Sequence, residues 1–173
     1  GGTLSMQSGE NFYAACEYAV ENKVDGLVVF VCTGGACLME NMHSLKMLPK
    51  TVIAVNLLKE NKIPYIVVGQ INLGGTAASM GSLGDLMIME PGKASLHGFA
   101  GQRVIAQNLR EPLPSNFQTP NHVITTGQID AIVHRKDQRK YISNFVSILK
   151  HRYLNIKQNS SEEFSSDKEA INQ

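Results

Sequence analysis

LVVFVCTGGACLMENMHSLKML, residues 27–48, is the stretch whose reading decides the fold. Leu27-Val28-Val29-Phe30-Val31 is a continuous apolar, largely β-branched run, the pattern of a strand covered on both faces. Thr33-Gly34-Gly35 breaks the run, because glycine permits backbone angles and ligand approaches that a Cβ forbids. Leu38, Met42 and Leu45 then recur at helical spacing until Pro49, where the pattern is expected to stop. Backbone N–H groups at the start of such a helix have no intrahelical partner and carry partial positive charge. They can hold a developing oxyanion without any charged side chain.

The same order returns one unit later. Tyr65-Ile66-Val67-Val68 reads as a short strand, and Gly74-Gly75 opens the small-residue stretch Thr76-Ala77-Ala78-Ser79-Met80. Two strand–Gly-Gly–helix units in one chain say more than either alone. Taken singly, each pair also reads as a tight turn that lets a helix pack closely on a sheet.

Working outward, residues 10–22 read as a helix with Phe12, Cys16, Ala19 and Val20 on one face, and residues 1–9 as a loop. Val52, Val55 and Leu58 form the stripe of another helix. A third strand is expected over 84–91, a glycine-flanked segment over 96–101, and a short helix over 102–109. Residues 121–126 are ambiguous, Ala131-Ile132-Val133 is a short strand, and residues 137–153 form a last helix with Tyr141, Phe145, Ile148 and Leu149 inward. This alternation predicts an α/β fold occupying residues 1–150. The polar stretch 151–173 is expected to be a disordered tail.

Composition removes several function classes. The 173 residues are 43% apolar, enough for one domain with a core. A net charge of +1 gives no whole-chain case for nucleic acid or an anionic membrane. No apolar run reaches the length of a membrane span, and the first residues lack the features of a secretory signal. The expected compartment is therefore cytosol or an organelle matrix. The three cysteines, Cys16, Cys32 and Cys37, include no CxxC pair, so neither a disulfide framework nor a metal site is expected. Cys37 follows the first turn, where a helix N-terminus can lower a thiol pKa. With no His/Asp arrangement beside it, a small half-buried cysteine is the favoured reading.

Further motifs continue in order: Leu73-Gly74-Gly75-Thr76, Gly84-Asp85 with Glu90-Pro91, and Gly98-Phe99-Ala100-Gly101-Gln102-Arg103-Val104-Ile105. After these come Leu113-Pro114, Phe117-Gln118, Gly127 with Asp130, and His134-Arg135. Together with Thr33-Gly34-Gly35-Ala36, the series resembles the C-terminal half of the carboxyltransferase β subunit of multi-subunit acetyl-CoA carboxylase, in the crotonase-like superfamily.

That resemblance implies a partial ββα spiral lacking the N-terminal portion, including the zinc ribbon of many members. It implies carboxyl transfer from carboxybiotin, on a separate biotin carboxyl carrier protein, to acetyl-CoA, giving malonyl-CoA. The partners implied are a carboxyltransferase α subunit, the carrier, biotin carboxylase, and a chain supplying the missing N-terminal part. The compartment would be bacterial cytoplasm or plastid stroma. The residues matching the family's oxyanion-stabilising turns are Gly34, Gly35, Gly74 and Gly75, with Ala36, Thr76, Gly98 and Arg103 expected to contact substrate.

Two departures stand out. Cys37 occupies the place of a family arginine, which removes a permanent cation, and about two extra residues fall around 92–95. Two alternatives stay open: a non-catalytic scaffold or regulatory paralogue, and another acyl-CoA enzyme of the superfamily. Asp85 and Glu90 read as capping or turn residues rather than a paired acid and base. His97 is the histidine nearest the proposed site.

Overall fold

A computed structural model describes residues 2–149. The expected tail over 151–173 lies outside the described residues, as does the end of the last expected helix. The elements are β1 (Gly2–Leu4), α1 (Met6–Glu21), β2 (Leu27–Ala36), α2 (Met42–Glu60), β3 (Tyr65–Leu73), β4 (Leu86–Met89), β5 (Leu96–Gly98), α3 (Gln102–Leu109), α4 (Pro120–Val123) and β6 (Ala131–Ile132). A further helix, α5, occupies residues 135–149. A single 3₁₀ turn, Leu38–Glu40, joins β2 to α2.

All strand pairings are parallel, in the order β1-β2-β3-β4-β6, and β5 also pairs with β3. The division of β3 between two partners positions the site. Its first half, Ile66 to Gly69, runs beside β4, and its last residues, Ile71 to Leu73, run beside β5. The sheet therefore forks between Gly69 and Ile71, just ahead of the second glycine pair.

Side-chain alternation separates two cores. Phe12, Cys16 and Ala19 of α1 and Ala54, Val55 and Leu58 of α2 cover one face, against Val31, Tyr65, Val67 and Met87. On the opposite face Ile66, Val68, Leu86 and Ile88 pack with Val28 and with Ile142, Phe145 and Val146 of α5. Burial pushes the Cys16 thiol up to about 12, so it stays a protonated core group. The Asp85 carboxylate accepts the Tyr65 N–H at 2.8 Å. Glu90 takes a two-point contact from the Arg135 guanidinium at 2.8 and 3.0 Å, and that contact holds its carboxyl below the usual range. Both carboxylates thus tie elements together, as their reading as turn residues implies.

Several expectations are corrected. Residues 2–4 form a strand and the helix begins at Met6, because Ser5 and Ser8 make a reciprocal capping box. Pro49 does not end the second helix; α2 runs unbroken through it. Pro49 is exposed, as is Leu45, whose carbonyl loses its i+4 donor on the solvent side of the helix. Packing of the buried stripe Ser44, Met47, Thr51, Ala54, Val55 and Leu58 outweighs the local cost. Only part of β2 is covered on both faces. Phe30 is 68% exposed, since β1 pairs only with the far end of β2 and α5 packs on Val28 without covering Phe30 farther along the same face. In α5 the inward residues are Ile142, Phe145 and Val146, whereas Tyr141 and Ile148 are exposed.

Candidate functional site

Each of the two central strands ends in a glycine pair, and the parallel register brings these ends together. Thr33 pairs with Asn72 across β2 and β3. The turns meet back to back. A Cβ on Gly35 would lie 3.1 Å from both Gly74 Cα and Gly75 N, and one on Gly74 would lie 3.1 Å from Gly34 O. Both residues have left-handed backbones, φ +113° at Gly35 and φ +63° at Gly74. Here glycine is required twice over, by conformation and by contact.

The backbone donors of the two turns differ. Gly35 N–H donates to the Thr33 hydroxyl at 3.1 Å, and Gly74 N–H donates to Gly98 O at 3.0 Å. The next N–H groups are available: one α-turn, Ala78 N–H to Gly74 O, leaves those of Gly75, Thr76 and Ala77 without a hydrogen bond among the described residues. No α-helix follows this turn; a 3₁₀ turn at Met80–Ser82 comes instead. Likewise Cys37 precedes only a three-residue 3₁₀ segment, and its N–H donates to Leu4 O. The expected helix N-termini are therefore replaced by irregular backbone after both turns. Small buried side chains, Ala77 and Ser79 with its hydroxyl bonded to Gly75 O at 2.7 Å, allow that compact path.

Ala36 sits half-buried beside Gly75. Gly34 is exposed, and a Cβ there would meet nothing nearer than Gly2 O at 4.0 Å. Gly98 ends β5 and lines a cleft of 360 Å³ with Ala77, His97, Phe99 and Gln128. Thr76 turns away from that cleft. It is fully buried, has no hydrogen-bond partner for its hydroxyl, and lines a separate 160 Å³ pocket beside Thr33. Arg103 lies exposed in the first turn of α3 and makes no ion pair among the described residues. The structure thus brings the four glycines, Ala36 and Gly98 together, with Thr76 behind them. Among the described residues no group of three or more His, Cys, Asp or Glu is arranged to hold a metal.

Sequence reasoning missed the polar layer under the cleft. Asn72, His97 and Gln118 are all buried. Asn72 contacts His97 at 3.0 Å, and His97 N–H donates to Gln118 O at 3.0 Å. A Cβ at Gly98 would meet the Gln118 amide, which itself donates to Ala100 O. The available signal was Asn72, a polar residue near the end of the largely apolar strand β3.

Comparison with known proteins fits this geometry. Over 150 residues the chain is 43% identical to the acetyl-coenzyme A carboxylase carboxyl transferase subunit beta of Liberibacter asiaticus, covering 86% of this chain and 52% of that protein. The Pelagibacter ubique subunit is 43% identical over 168 residues, covering 95% of this chain and 53% of its own length. The chain is a homologue of these β subunits. It spans about half the length of the curated relatives it matches. No family model matches it.

Among solved structures, the Pseudomonas malonate decarboxylase MdcD-MdcE heterodimer aligns with TM-score 0.72 at 21% identity, covering 85% of this chain and 66% of that one. Transcarboxylase 12S aligns with TM-score 0.70 at 22% identity, covering 86% of this chain and 28% of that one. These likenesses show the fold: a crotonase-like parallel α/β architecture, of which this chain forms part.

Proposed function

We propose that the chain is the β-type component of an acetyl-CoA carboxylase carboxyltransferase and helps move a carboxyl group to acetyl-CoA, giving malonyl-CoA. One observation carries this reading. Two glycine turns touch beside a cleft of 360 Å³, within the range of small-ligand sites, and one of them offers unpaired backbone N–H groups. Negative charge develops on the thioester oxygen when the acyl group becomes an enolate. A preorganised N–H at Gly75 stabilises that charge without needing a side-chain nucleophile.

The first turn suits a second, flat group, the carboxyl donor. Gly34 is exposed and carries no Cβ, so a planar ureido group can approach its backbone closely. Biotin on its carrier supplies the carboxyl group there. Arg103, exposed and unpaired, is assigned to a CoA phosphate, and Ala36 and Gly98 to the walls around the acyl group. Thr76 supports the second turn from behind.

The partners are a carboxyltransferase α subunit, the biotin carboxyl carrier protein and biotin carboxylase. Leu38, Met39 and Met42, which follow the first turn, are exposed by 89%, 90% and 62%, and they support a partner seated beside the site. The open face of β2, with Phe30 above a 620 Å³ groove lined also by Val28 and Ile142, suits a chain supplying the remaining part of the spiral.

Gly34→Val separates function from folding, because the added side chain meets open space within the chain. In the assembled complex it should still fold and bind the α-type partner. Malonyl-CoA-dependent carboxylation of biocytin should fall at least roughly a hundredfold, the scale of a lost oxyanion contact. Wild-type turnover by Gly34→Val would remove the first turn from the site.

A further inference from the structure

The cleft beside the second turn holds a side chain that the reading above does not use. His97 lies opposite Asn72 in the β3–β5 register, and the two are 4% and 1% exposed. The Asn72 amide nitrogen donates to Gly81 O at 2.6 Å and lies 3.0 Å from His97 Nδ1. The Gly81 carbonyl fixes which end of the amide is nitrogen, since the opposite orientation would set oxygen against oxygen. An amide nitrogen offers two hydrogens and no lone pair, so Nδ1 must accept. The ring is therefore neutral and carries its proton on Nε2. Burial acts in the same direction and lowers its pKa below the ordinary 6.5.

The other nitrogen is available. Nε2–H has no hydrogen-bond partner among the described residues, although the ring lines the cleft with Ala77, Gly98 and Phe99. The backbone beside it is held firmly. His97 N–H donates to Gln118 O, and Gly98 O accepts from Gly74 N–H, the second turn itself. An oriented, largely buried N–H lacking an acceptor is completed by an acceptor from a ligand.

We propose that His97 donates a hydrogen bond through Nε2–H to an oxygen of the acyl group bound in this cleft, acting as a second donor beside the backbone amides. This rests on the carboxyltransferase reading of the same site. The role is that of a donor and not of a base, because the Nδ1 lone pair is engaged and Nε2 already bears hydrogen.

The test uses three substitutions in the assembled complex. His97→Asn keeps an acceptor for Asn72 but ends short of the Nε2 position. His97→Met fills the volume with no donor. His97→Gln carries an amide N–H out to the Nε2 position. The readouts are kcat/KM for malonyl-CoA-dependent biocytin carboxylation and the thermal midpoint. The two variants without a donor at the Nε2 position, His97→Asn and His97→Met, should lose roughly tenfold to a hundredfold in kcat/KM. His97→Gln should recover to within roughly fivefold of wild type even if its midpoint falls, since it gives up the Asn72 contact and keeps the donor.

Wild-type rates in all three variants would overturn the contact. Equal loss in all three, with loss tracking the midpoint, would reduce His97 to packing and overturn it too. An active wild type with either result fails only this proposal. An inert wild-type complex fails the carboxyltransferase reading, and this proposal with it.

Discussion

At the scale of single residues, the glycine pairs divide their labour, and the division is testable. Gly35 is buried at φ +113°, against Gly74 Cα and Gly75 N at 3.1 Å, so no side chain fits there and no other residue adopts that backbone easily. Gly35→Ala should therefore destabilise the protein by roughly 2–3 kcal/mol. In a domain of this size that is a drop of roughly 5–10 °C in the thermal midpoint. Gly34→Ala, one position earlier with open space at its Cβ, should leave the midpoint within roughly 1 °C. Equal effects at the two positions would mean that the turns do not meet as described. Sequence made the glycines visible but not this asymmetry, because both read as the same motif. His97 is a sharper case. Its proton position follows from Asn72, which lies 25 residues away and becomes a neighbour only through the β3–β5 register. No local spacing carries that information.

At the scale of elements, legibility followed the strength of the local signal. β3 reads directly from its apolar run, buried on both faces, and α3 spans 102–109 as its pattern predicts. The start of α1 was missed because its capping box is built from two serines, Ser5 and Ser8, without the acidic residue usually sought. The end assigned at Pro49 was wrong because tertiary packing overrode a strong local breaker. That misfit also makes a prediction. Pro49 lies on the exposed side of α2, and Pro49→Ala would return an N–H donor to the Leu45 carbonyl without disturbing the buried stripe. The substitution should raise stability by roughly 1–3 kcal/mol, read as a higher denaturant midpoint at an unchanged slope. A lowered midpoint would show that the proline ring contributes packing of its own. The path after the second glycine turn was read as a helix for a related reason. A stretch of small residues, Gly74 to Ser79, satisfies helical propensity weakly and turns equally well, and here the α-turn is not continued.

At the scale of the whole molecule, the described chain leaves apolar surface open on two sides, and each opening borders the glycine site. One is the open face of β2 around Phe30; the other is the segment after the first turn. The second lends itself to a clean experiment, because Leu38 and Met39 are 89% and 90% exposed and bury nothing within the chain. Exchanging both for glutamate removes little internal packing, so the circular dichroism spectrum and thermal midpoint should match wild type. Against a partner surface the same exchange sets two charges into an apolar contact that must exclude water. Leu38→Glu with Met39→Glu should therefore abolish co-purification with a carboxyltransferase α subunit, or weaken it by at least roughly a hundredfold. Transfer activity should fall in proportion to the complex lost, since a partner there stands next to Gly34 and Gly35. Retained assembly with activity lost would instead place the two side chains against substrate. Retained assembly with full activity would free this surface from the interface and move the partner to the β2 side, where Phe30→Glu becomes the decisive substitution.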